Sequence, residues 1–130
     1  MPNFKHVIFC DDIRTESNGK KLLIGVYTGG LAVESFPFGS KVAILIVIDS
    51  LAEGASIALE VRLKSGAKIV EFVGDLPPPP QDAGLPGYLE LAVPLMLSAE
   101  DTLEVHAGSS TTELELIGHL PITRGLEASP

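Results

Sequence analysis

The sequence predicts an all-β protein made of short antiparallel strands. Three observations lead there. Apolar residues recur with a period of two in most of the chain. Gly, Pro and Asn-Gly signals punctuate those runs. No segment of helical length sustains a 3.6-residue period, so no substantial helix is expected.

The elements follow in order. Phe4–Phe9 and Lys21–Tyr27 are rich in strand-forming residues. Between them lies a polar reversal in which Asn18-Gly19 supplies positive φ and the aspartates bond nearby amides. Gly29-Gly30 ends the second strand. Val42–Ile48, VAILIVI, is apolar on both faces. Ser56–Lys64 alternates, with Ile57, Leu59, Val61 and Leu63 inward and Glu60 and Arg62 outward. Lys64-Ser65-Gly66-Ala67 is a hairpin turn. Leu76–Gly87, LPPPPQDAGLPG, is a loop, because proline lacks the N–H that a ladder requires. Tyr88–Leu95, Thr102–Ala107 and Glu113–Ile122 alternate again. In them Glu90, Glu104, His106, Glu113, Glu115 and His119 point outward. Ser98 and Asp101 can form a single capped turn between two strands. Roughly eight or nine such strands pack as two sheets, an antiparallel β-sandwich of immunoglobulin-like or jelly-roll-like type. One domain over 1–130 is expected, with the Pro-rich loop at 76–87 and a short tail at 124–130.

In a sandwich the outer face of a strand meets water. A doubly apolar strand therefore needs cover. Val42, Ile44, Ile46 and Ile48, together with an outward Ile117, are the expected oligomer surface, and a homo-oligomer is the expected state.

Charge is unevenly spread. Residues 1–68 hold eight Lys/Arg against seven acids, whereas 69–123 hold nine acids and neither Lys nor Arg. The acidic half repels phosphate backbones, which excludes nucleic acid, and it suits a protein partner with a basic surface. No apolar run approaches the ~20 residues of a membrane helix, so no membrane association is expected. No cleavable leader is expected, and a single cysteine fits a reducing compartment such as the cytoplasm.

The polar stretch Cys10, Asp11, Asp12, Arg14 and Glu16 is the candidate cluster. As chemistry it would need Cys10 as a thiolate beside a base. His6 is on the same strand face, but two acids follow the thiol and raise its pKa. A structural role is expected instead, with Arg14 clasping Asp11, Asp12 or Glu16 across the turn. An enzyme using this cluster is the alternative. VIFCDD and AILIVIDS resemble the acidic strand ends of response-regulator receivers, but no Lys in the acidic half meets a phosphate and no crossover helices are present. His6, His106 and His119 show no metal-binding spacing. Asp75, Asp82, Glu100 and Asp101 in predicted loops are weak calcium candidates, the basis of a ligand- or calcium-binding alternative. No nucleotide or cofactor motif is present, and no cofactor is expected.

FCDDIRTESNGKKLLIGVY, followed by Ser35–Phe38 as SFPF, resembles the opening of an uncharacterised bacterial family, one of the domains of unknown function. The shared features are an acidic pair, an Ile-Arg, a Gly-Lys and a Leu-Ile-Gly-x-Tyr. Here they are Asp11-Asp12, Ile13-Arg14, Gly19-Lys20 and Leu23, Ile24, Gly25 and Tyr27. The resemblance implies no activity, cofactor or catalytic residue. The sequence thus points to a non-enzymatic binding or structural module that self-associates.

Overall fold

The computed structural model describes residues 3–49, 56–75 and 87–125. Nine strands run β1 (Asn3–Thr15), β2 (Lys21–Val26), β3 (Leu31–Val33), β4 (Phe38–Asp49), β5 (Ser56–Leu63), β6 (Lys68–Asp75), β7 (Gly87–Leu97), β8 (Asp101–Gly108) and β9 (Leu114–Arg124). No helix forms among the described residues. The first sheet has the order β2-β1-β4-β7 and the second β3-β9-β8-β5-β6. All pairings are antiparallel except β3 with β9. The predicted all-β sandwich is the fold observed.

The period-two pattern builds the core. On β4, Val42, Ile44, Ile46 and Ile48 are all 0% exposed. They pack toward Ile57, Leu59, Val61 and Leu63 of β5 and Leu103, Val105 and Ala107 of β8, in one cluster shared by the two sheets. Cross-strand rows extend it: Ile44 lies between Phe9 and Leu91, and Leu59 between Phe72 and Ala107. Each such aliphatic side chain contributes about 1.5–3 kcal/mol on burial.

This placement corrects the expected oligomer surface. Val42, Ile44, Ile46 and Ile48 form the inner face of a central strand, so no part of them is open to another chain. Ile117 is corrected too. The β8–β9 register slips so that Val105 faces Gly118 while His106 faces Leu116. Ile117 is left over as a bulge. A bulge switches which side of the strand faces the core. Ile117 therefore packs against the core, and Leu116, expected inside, is half exposed. Gly118 beside the bulge admits Val7 from the facing sheet; a Cβ there would lie 2.8 Å from Val7 Cβ.

The polar stretch is a further correction. β1 continues through Thr15, so Asp11, Asp12 and Arg14 are strand residues rather than turn residues. The reversal is confined to Glu16–Lys20. There the Gly19 amide donates to Glu16 O, the Lys20 amide to Asn18 Oδ1, and Gly19 adopts φ 87°. The Leu63–Lys68 hairpin turn forms as expected and is tied to β8 by Asp101. Its carboxylate accepts from Ser65 Oγ at 2.5 Å, Ser65 N at 3.2 Å and Thr102 N at 2.8 Å.

Gly118→Ala pushes Val7 out of its seat and is expected to cost about 1–3 kcal/mol, roughly 4–12 °C in Tm by calorimetry. Burial pushes the Asp101 carboxyl up, but the Ser65 hydroxyl and the two amides outweigh it and hold it below 3.8. Asp101→Ala is expected to cost about 1–2 kcal/mol at neutral pH. A depressed carboxyl stabilises fully above its unfolded value and loses that contribution as pH falls through the lower folded value. Melting curves of the two proteins therefore converge in acid below about pH 3.8.

Candidate functional site

The polar stretch and the strand after it form a two-stranded arm, β1 paired to β2 from Cys10–Val26 out to Thr15–Lys21. Along an extended strand Asp11 and Asp12 point to opposite faces. Asp11 accepts a hydrogen bond from the Tyr27 hydroxyl. Its carboxylate passes over Gly25, which has φ 68° and where a Cβ would collide with that carboxylate. The Gly25-Val26-Tyr27 step is thereby explained: Gly25 vacates the space that the Asp11–Tyr27 bond occupies. Burial, then the hydrogen bond and charge of Asp11, push the Tyr27 phenol up to about 12.

On the other face, Asp12 pairs with Arg14 at 3.1 Å and accepts the Ile13 amide at 2.9 Å. The clasp runs along one strand, i to i+2, not across the turn, and Glu16 has its place in the reversal instead. The Arg14 hydrogen bond is the main cause of an Asp12 carboxyl held below its usual value. Cys10 is fully buried, with its thiol donating to Asp12 O at 3.5 Å. Burial raises that thiol above 9.0 and the charges of Asp11 and Asp12 add to the rise, while the bond to Asp12 O opposes it. A thiol so placed is protonated and out of reach, the reverse of a nucleophile.

The arm also leans over the sheet. Lys21 of β2 pairs with Glu90 of β7 at 2.5 Å. In the order β2-β1-β4-β7 these strands would lie about 14 Å apart if the sheet were flat. The distal arm therefore bends over the outer face of β4. The fold leaves a small cleft of about 190 Å³ lined by Asp12, Ile13, Lys41, Ala43, Glu90 and Ala92. Ala43 and Leu45, on the outer face of β4, keep only 6% of their surface. The cover that a doubly apolar strand needs comes, over Ala43, from the chain's own hairpin.

A second polar group lies on the outer face of the second sheet. The sequence placed Glu60, Arg62, Glu104 and His106 outward one strand at a time. It carried no signal that β5 and β8 are neighbours, with Glu60 opposite His106 and Arg62 opposite Glu104. Arg62 Nη2 lies 3.2 Å from His106 Nδ1, and His106 Nε2 lies 3.1 Å from Glu104 Oε1. A guanidinium only donates, so Nδ1 accepts and carries no proton. The Nε2–H then donates to Glu104. Both ring nitrogens are occupied, and none remains to act on a substrate. Arg62 Nη1 also reaches Glu60 at 3.3 Å, and Lys68 bridges Glu60 at 3.7 Å and Glu71 at 3.2 Å. Glu71 lies close enough to push the Lys68 ammonium up.

The remaining candidates are scattered. Glu100 accepts the Arg124 amide at 2.8 Å, Asp101 serves the hairpin turn, and the Asp75 side chain and Asp82 lie outside what is described. His6 and His119 are exposed on different sheets. Among the described residues no three His, Cys, Asp or Glu side chains converge as a metal site.

The Asp11–Tyr27 bond has a direct optical signature. In a Tyr88→Phe variant, leaving one tyrosine, the phenolate absorbance is expected to rise with a midpoint near 12. Adding Asp11→Asn moves that midpoint down toward 10.0. Compared with protein-family models, curated proteins and solved structures, the chain matches none.

Proposed function

We propose that this protein is a non-enzymatic β-sandwich module that associates with copies of itself. The observation that carries the reading is a stripe on β2. Leu22, Ile24 and Val26 alternate along the edge strand of the first sheet and stay 46%, 38% and 45% exposed. Edge strands are normally blunted by charge or proline. Leu22–Val26 carries neither, whereas the opposite edge, β7, holds Pro94.

The stripe is self-complementary, which favours a second copy as its occupant. Laid antiparallel about Ile24, Leu22 meets Val26 of the second copy and Ile24 meets its equivalent. A two-fold contact needs a pattern of this kind, one that reads the same from either copy. Gly25, at φ 68°, kinks the strand, so the contact rests on side chains more than on a continued ladder and is weak. The non-enzymatic half of the reading is supported by the reactive groups themselves. The Cys10 thiol is buried and both nitrogens of His106 are engaged.

Light scattering across micromolar dilution is expected to show a dimer that dissociates. Ile24→Lys is expected to leave a monomer of unchanged Tm. A native chain that is monomeric throughout overturns self-association. A dimer that survives Ile24→Lys moves the contact off β2.

A further inference from the structure

We propose that His106 and Arg62 form a proton-driven switch on the outer face of the second sheet, in which protonation of His106 hands Arg62 over to the carboxylates of Glu60 and Glu104. The inference is independent of the β2 contact. His106 is 9% exposed, a buried polar side chain on that outer face. In the neutral ring, Nδ1 carries the lone pair and spends it on Arg62 Nη2 at 3.2 Å. A second proton can only land there. It turns an acceptor into a donor facing another donor, and sets two cations in contact.

Arg62 has somewhere to go. Its Nη1 is already 3.3 Å from Glu60 Oε1, and its Nε is 4.0 Å from Glu104 Oε1. The imidazolium is also provided for. Its Nε2–H keeps Glu104, and the new Nδ1–H has Glu60 directly opposite on β5. The other groups around it come from every neighbouring strand. β6 contributes Lys68 and Glu71, which pair with each other, and Lys68 also reaches Glu60. β9 contributes His119 opposite Glu104, and the apolar Leu116 opposite His106 itself. With a neutral ring, the three carboxylates Glu60, Glu71 and Glu104 outnumber the two cations Arg62 and Lys68. Protonation balances the group. Two arrangements thus exist with their polar atoms satisfied, and one proton selects between them.

Nitrogen-detected NMR of the histidine rings and arginine side chains in a pH series tests this. The expected result is the Nε2–H tautomer for His106 at high pH. Arg62 side-chain resonances are then expected to follow the protonation of the His106 ring and not that of His6 or His119. His106→Gln abolishes the Arg62 shift. Should that variant fail to fold, Glu60→Gln removes the new acceptor and is expected to reduce the Arg62 shift by at least half. An Nδ1–H tautomer at high pH, or Arg62 resonances that stay fixed while His106 titrates, overturns the switch.

Discussion

The structure depends on β4 being covered on both faces. Its even-numbered side chains fill the space between the sheets, and Ala43 and Leu45 are nearly as dry on the other side. A central strand of this kind holds β1 and β7 in place through long ladders on its two edges. It also forces a solution on the outer face, because aliphatic surface left open there invites association. The β1–β2 arm supplies one by bending back until Lys21 reaches Glu90. The acidic pair, the Asn-Gly reversal and the Gly25–Tyr27 step all belong to this bent arm. Their first task is mechanical.

How far this was legible in the sequence varies by element. β5, β8 and the inner face of β7 could be read directly, because their apolar residues recur with a period of two. The Leu63–Lys68 and Glu16–Lys20 turns were legible because Gly tolerates backbone conformations that other residues avoid. The limits were those of a one-dimensional pattern. β4 has no polar face, so its inner side could not be told from its outer side. Ile117 and Leu116 exchanged roles because a bulge shifts the count by one and leaves no mark in composition. Asp11–Thr15 looked like a turn because acids are poor strand formers. There the hydrogen bonds to Tyr27 and Arg14 overrode propensity. The His106 cluster was invisible for a different reason. Its members lie 44 residues apart and meet only once β5 and β8 are paired.

A common thread joins the arm and the cluster. Side chains that look reactive in isolation are spent on one another. The Cys10 thiol, the Asp11 carboxylate, the Tyr27 phenol and both nitrogens of His106 each have a partner. Among the described residues no buried side-chain nitrogen or oxygen is left unsatisfied. Where such groups are buried, low-dielectric surroundings make their satisfaction strongly favourable. Leu22, Ile24 and Val26, by contrast, stay exposed at the edge of the first sheet.

The short parallel ladder of β3 with β9 has a consequence for assembly. It joins Leu31 to Ile122, 91 positions later, by only three residue pairs, and Gly125 N adds a bond to Val33 O at 3.0 Å. Closing a loop of that size costs about 4 kcal/mol of chain entropy beyond its constant part. Three edge pairs cannot nucleate against such a cost. β3 must therefore wait until β8 and β9 have zipped onto β5 and delivered a template. During synthesis the first sheet's early strands leave the ribosome with β3 unattached, and both of its edges stay open until the last described strand arrives to cover one of them.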